Sequence, residues 1–284
     1  MRRVLRLPGR LAAPPAPRPR EDWSPVALPL IQRVTSASAS DWASLGPQVL
    51  RSFEQLDGPS AVSVLVAVGS SRVPPKKDFW AGAAAALLPR LKTLRPDDST
   101  QAITFLLAHV DNSPVVRSAS AAVANGPWPS TNRVILTKWL REAAALRCPG
   151  VARVLQDARL LGLVAEMDGA ELHHLMIGVA TADMGATPVG RACAARFLQV
   201  VPRMDLGHLA LAANALVRGR TTAPPNLIPT LAARLTTTPL TVSGRALAGL
   251  ANACGRLRVR HNQLIPLLAD KALELDEAGA LADR

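Results

Sequence analysis

Tyrosine is absent from this 284-residue chain, and four Phe and five Trp bring aromatic content to only 3%. The five Trp fall at no repeated position, so ring platforms for stacking successive bases of a single strand are not expected. The three cysteines, Cys148, Cys193 and Cys254, stand far apart with no Cys-x-x-Cys pair. That excludes a zinc ribbon and gives no disulfide framework; small buried thiols are expected instead. No charge-free apolar run reaches ~18 residues, so no membrane span is expected. The nearest approach, AGAAAALLPRL (81–91), is broken by Pro89 and Arg90.

The signatures of common chemistries are missing too. There is no Gly-x-x-x-x-Gly-Lys-Ser/Thr loop, no Gly-x-Gly-x-x-Gly and no Gly-x-Ser-x-Gly. The one His-rich spot, ELHHLM (171–176), lacks His-Glu-x-x-His spacing. Its adjacent His173 and His174 diverge by about 100° on a helix, which suits a helix–helix boundary rather than a metal. Asp97-Asp98 reads as a helix cap, not a catalytic dyad. Neither an enzyme, a cofactor, a metal nor a small-molecule substrate is expected.

What is present is an Ala-, Leu-, Val- and Arg-rich chain, 49% hydrophobic, which favours helices around a real core. Residues 1–20, MRRVLRLPGRLAAPPAPRPR, hold six Arg and no acid. This is the makeup of a mitochondrial transit peptide, although Ser is missing, or of a basic tail for RNA or an acidic surface. The whole chain is formally +12. Outside that segment 27 basic residues face 21 acidic ones, a net +6 that permits phosphate binding without compelling it. Residues 21–40 read as a linker, with a short helix after Pro25 and the small-residue run SASAS (36–40).

From Asp41 to Arg284 the chain repeats itself. LAANALVRGRTTAPPNLIPTLAARL (211–235) is echoed by GLANACGRLRVRHNQLIPLLADKAL (249–273). Met167-Asp168 returns as Met204-Asp205, and Ala194-Ala195-Arg196-Phe197 as Ala232-Ala233-Arg234-Leu235. Oxygen-bearing residues precede apolar runs at Asp57, Asp97, Ser99, Asp168, Asp205 and Ser243, each a plausible helix start. The period of about 37–40 residues fits two helices and two turns. The units are a leading helix at 41–56 with a preceding partner, then 57–94, 95–127, 128–166, 167–203, 204–240 and 241–284. One helix pair cannot hide its apolar stripe, and stacked neighbours can. The fold expected is therefore all-α, an α-solenoid of stacked helix-turn-helix repeats.

Residues 167–273, with their Leu-x-x-x-Ala-Asn-Ala first helix and Leu-Ile-Pro-x-Leu second helix, resemble organellar helical-repeat proteins. These are the heptatricopeptide and octotricopeptide repeat families and the repeat region of FAST-kinase-like and RAP proteins. The resemblance implies RNA binding in mitochondria or plastids, here the mitochondrial matrix given residues 1–20, including structural membership of the mitochondrial ribosome on rRNA among neighbouring proteins. It leaves open an mRNA or rRNA maturation role. A protein-only scaffold, such as an accessory subunit of a respiratory complex, is the alternative.

Independent support for RNA lies in the turns between paired helices. Arg218 and Arg220 occupy one, and Arg256 and Arg258 the next, with Arg260 beside them. Arg72, Lys76 and Lys77 sit in the turn of unit 57–94. Stacked units would align these as a basic ridge for phosphates, which the planar arginine fork suits. Asp183 interrupts the series in unit 167–203. The competing reading is that arginine at a helix C-terminus merely complements the dipole. Asn214 and Asn252 either face RNA, or are polar residues on the outer face or hydrogen-bonded to a neighbouring turn.

Overall fold

The computed structural model describes residues 25–110, 113–128, 131–236, 244–256 and 264–277. They form 15 α-helices, and among them there is no strand. In chain order these are α1 (Ala27–Thr35), α2 (Trp42–Gln55), α3 (Gly58–Gly69), α4 (Lys77–Leu87), α5 (Pro96–His109), α6 (Pro114–Asn125), α7 (Arg133–Ala145) and α8 (Val151–Gln156). Then follow α9 (Ala158–Val164), α10 (Gly169–Thr181), α11 (Pro188–Val200), α12 (Leu206–Arg218), α13 (Leu227–Thr236), α14 (Gly244–Arg256) and α15 (Leu264–Glu277).

Two rows result. Helices α1, α3, α5, α7, α10, α12 and α14 pack each on the next, and we call them the inner row. The second helices of the pairs, α2, α4, α6, α8 with α9, α11, α13 and α15, form the outer row. A single apolar core runs between them, from Ala27 to Leu268. This is the stacked helix-pair solenoid that the repeat period predicts. The short helix expected after Pro25, within the segment 21–40, is α1; it opens the inner row, with Leu30 and Val34 buried. Pro29 is tolerated because it lies in the first turn of α1, where backbone N–H groups have no helical partner. The SASAS run is a tight turn: both the N–H and the hydroxyl of Ser38 donate to the Asp41 carboxylate.

Three of the six expected helix starts are true caps. Asp57, Asp168 and Asp205 accept from backbone N–H groups of α3, α10 and α12, and Asp168 forms a reciprocal capping box with Glu171. Asp97 and Ser99 differ. They lie inside α5, whose N-cap is Arg95. Asp97 Oδ1 instead accepts from the backbone N–H of Asn132, the cap of α7, at 2.7 Å, so this carboxylate joins two units. Ser243 lies outside the described residues.

The echoes at Met167-Asp168/Met204-Asp205 and at Arg196/Arg234 are two ends of one repeated contact. Arg196 Nε donates to the carbonyl of Met167 at 2.8 Å, and Arg234 Nη2 to that of Met204 at 3.3 Å. Each arginine lies on an outer helix and reaches back to the residue just before the cap of its own pair's inner helix. Arg90 does the same earlier in the stack, donating to Phe53 and Leu56, the latter just before Asp57. Arg153 reaches Ala124 at 2.8 Å. The guanidinium thus occupies carbonyls that helix ends leave unpaired and ties each pair to its junction with the one before.

Candidate nucleic-acid interface

Consecutive inner helices run parallel, so their C-termini share one edge. The contact of Gly219, after α12, with Ala180, near the end of α10, shows this: a β-carbon on Gly219 would lie 3.1 Å from the Ala180 Cα. A β-carbon on Gly185, in the turn after α10, would overlap the Gly219 carbonyl. Backbones therefore touch here.

Three successive inner helices end in the same way. After α7, Cys148 N–H donates to Ala143 and Arg147 N–H to Ala144. After α10, Met184 donates to Val179 and Asp183 to Ala180; after α12, Thr221 donates to Leu216 and Arg220 to Val217. These are the paired bonds of a Schellman cap, which requires a left-handed residue between them. That residue is Arg147 (φ 52°), Asp183 (φ 55°) and Arg220 (φ 51°). Glycine usually fills this position. Here Gly219 stands one place too early, held by its close approach to Ala180, and Arg220 takes the strained conformation.

Arg72, Lys76, Arg218, Arg220 and Arg256 are all exposed, as is Lys77 at the start of α4. Arg218 and Arg256 close adjacent inner helices, and Arg220 follows in the Schellman turn. Arg258 and Arg260 lie outside the described residues. Arg72, Lys76 and Lys77 lie on the same edge, between α3 and α4, but α5, α7 and α10 separate them from α12. Their turn is built differently, around the Ser71 hydroxyl, which donates to Val68 and Val73. The structure adds Arg147, exposed in the left-handed column. Its spacing of 36 residues to Asp183 and 37 onward to Arg220 is the sequence signal for it. The neighbouring Pro149-Gly150 hides that signal, because those two residues read as the turn. Asp183 sits between the two arginines in the column.

Many other cations are committed. Besides the four junction arginines, Arg133 pairs with Glu166 at 2.8 Å and with buried Glu171 at 3.1 Å. Arg95 pairs with Asp98, Arg141 with Glu142, Arg159 with Asp157 and Lys271 with Glu274. The asparagines are committed too. Asn214 Nδ2 donates to Gly249 at 2.7 Å and Asn252 Nδ2 to Asn214 Oδ1 at 2.8 Å, a ladder joining α12 and α14. The Ala-Asn-Ala echo is thus a packing device, with Ala213, Ala215 and Ala253 buried where the two helices approach.

His173 and His174 are buried in α10, and the His208 ring of α12 stacks on His173 at 4.2 Å between centroids. Burial pushes His173 down to about 4, helped by His208, and His174 down to about 3, helped by His173 and then Arg141. Arg141 Nη1 lies 2.9 Å from His174 Nδ1, so a neutral ring accepts there. Among the described residues no group of three His, Cys, Asp or Glu is placed to hold a metal. Cys148, Cys193 and Cys254 are buried free thiols, and burial pushes Cys193 up to about 12. No described helix is long and apolar enough to cross a membrane. Comparison with known protein families, curated proteins and solved structures gives no match.

Proposed function

We propose that this chain is a mitochondrial RNA-binding helical-repeat protein, a structural subunit of the mitochondrial ribosome that meets rRNA through the C-terminal edge of its inner row. The observation that supports this reading is a division among the arginines. Those on outer helices and at unit junctions, Arg203 apart, are bound to carbonyls or carboxylates of the chain. Arg147, Arg218, Arg220 and Arg256 end inner helices with exposed side chains. Rings are buried or scattered, so contact runs through phosphate and shape, which suits duplex or folded RNA better than single strands.

The test uses the full-length chain and a folded rRNA fragment, with affinity measured across a salt series. Affinity should fall steeply with salt. Arg218→Glu, Arg220→Glu and Arg256→Glu together should flatten the slope by ~0.7–0.9 for each phosphate no longer neutralised. An unchanged slope in the triple variant would remove the edge from consideration. A reporter fused to residues 1–24 tests the mitochondrial address.

The alternative, a protein scaffold or accessory subunit, is favoured by Asp183 in the middle of the edge and by the exposed Ile265 and Leu273 on α15. Salt-insensitive association with a protein, with no RNA bound, would select it.

A further inference from the structure

The outer row is open at one joint. Helix α4 packs on α2 and α5, and α6 on α5 and α8, but α4 and α6 are not packed on each other as α2 and α4 are. Further along, α11 and α13 are linked through the 3-10 turn Val201–Arg203, which packs on both. After α4 the corresponding 3-10 helix, Leu88–Thr93, makes no such link. Arg90 ties that segment to the preceding unit through Phe53 and Leu56, away from α6. A cavity of about 410 Å³ remains, walled by Leu88, Leu91, Leu94, Ile103, Val123 and Trp128. The Trp128 ring is held by the Arg159 guanidinium, 4.9 Å from its centroid.

Four polar side chains stand in this wall: Ser99, whose hydroxyl donates to Pro96, Thr100, Thr131 and Lys92. Thr131 also lines the cavity; it is only 4% exposed, and its hydroxyl has no hydrogen-bond partner. A buried hydroxyl left unpaired is costly, and native structures seldom keep one without reason. Among the described residues of the lining Lys92 is the only charged side chain, and it is exposed.

We propose that this cavity binds a single-chain aliphatic carboxylate. Its chain lies against the leucines and Trp128, and its carboxylate accepts from the Lys92 ammonium and, once Thr131 turns about χ1, from the Thr131 hydroxyl, which the unliganded chain closes off from solvent. A lone cation beside an apolar cavity selects an anionic head on an apolar body. A peptide segment fits worse, because its row of main-chain N–H and C=O groups would meet a wall with one unpaired hydroxyl. The proposal is independent of RNA binding at the opposite edge.

Dodecanoate, dodecanol and dodecyltrimethylammonium, each below its micelle concentration, are titrated calorimetrically into the full-length chain. Saturable one-to-one binding is expected for dodecanoate, about tenfold or more tighter than for dodecanol, since one charge-assisted bond is worth that factor. Lys92→Gln should reduce dodecanoate to the level of the alcohol. Thr131→Val should weaken it severalfold while leaving the unliganded chain at least as stable, because the unpaired hydroxyl is gone. Ala119→Phe, which fills the cavity, should abolish binding. Equal binding of all three head groups, or none at all, overturns the proposal. So does self-association of the unliganded chain that Ala119→Phe removes, which would give the cavity to a second copy.

Discussion

Replacing Arg220 by glycine should make the protein more stable, whereas the same replacement two residues earlier should make it less so. Arg220 holds φ at 51° in the Schellman turn, and its side chain is exposed. The left-handed conformation costs an L-residue about 1–2 kcal/mol. Glycine escapes that cost but loses about 0.5–1 kcal/mol more backbone freedom on folding. The net gain for Arg220→Gly is therefore about 0–1.5 kcal/mol, centred on ~0.75 kcal/mol. Arg218 is the last residue of α12, with helical geometry, and Arg218→Gly should lose about 0.5–1 kcal/mol. In a domain of this size each kcal/mol shifts the thermal midpoint by roughly 2–4 °C. Circular dichroism melts of the two variants should move in opposite directions. Arg220→Ala is the control, since it deletes the side chain and keeps the strain, and should melt close to the parent. If Arg220→Gly melts lower than the parent, the assigned turn geometry is wrong. Under the proposed function, Arg220→Ala and Arg220→Gly should weaken RNA binding equally, although only one changes stability. Unequal losses would mean that the turn's backbone, not its charge, meets the RNA.

Arg196→Met keeps the apolar stem but removes the bond to Met167, and should cost about 1–2 kcal/mol in urea unfolding; RNA affinity should not move. Asn214→Ala breaks both rungs between α12 and α14 and should destabilise by about 1–2 kcal/mol, again with an unchanged salt slope for RNA. The buried histidines make the fold acid-sensitive. Their folded values, about 4 for His173 and about 3 for His174, lie below the unfolded value near 6.5, so the unfolded chain binds more protons between them. Stability should hold above pH ~6.5 and fall as pH drops toward ~4, at about 1.4 kcal/mol per pH unit for each ring, or at most about 6 kcal/mol for the pair before solvent screening reduces it. His173→Phe should flatten that fall in urea midpoints compared at pH 7 and 4.5; a parent protein equally stable at both would contradict it.

Period and class were legible because each repeat reuses the same physical joint. The echo of Met-Asp on one side and Ala-Ala-Arg on the other marks acceptor and donor of a single bond, and a bond must repeat both ends. Asp57, Asp168 and Asp205 were legible for a related reason, since a cap acts within four residues. What sequence could not place was anything set by contact between units. Asp97 reads as a local cap and serves Asn132 in the next unit. Gly219 is the glycine of its turn, the residue type that usually takes the left-handed place, yet it sits close against Ala180 in ordinary helical geometry and the left-handed conformation falls to Arg220.

That displacement also bears on how the charged edge is to be judged. Arginine at a helix C-terminus has a bland explanation in the helix dipole, and this explanation covers Arg218 and Arg256. It covers Arg147 and Arg220 less well. In their left-handed position asparagine or glycine would serve the turn at lower cost, and Asp183 shows that a side chain of the opposite sign is accepted there. A residue kept where it strains the backbone needs a reason outside the fold, and a salt link to a phosphate supplies one. The two explanations separate in measurement. If the dipole is the whole reason, Arg147→Gly and Arg220→Gly gain stability and lose nothing. If phosphate is the reason, the gain in stability comes with a weaker, less salt-sensitive hold on RNA.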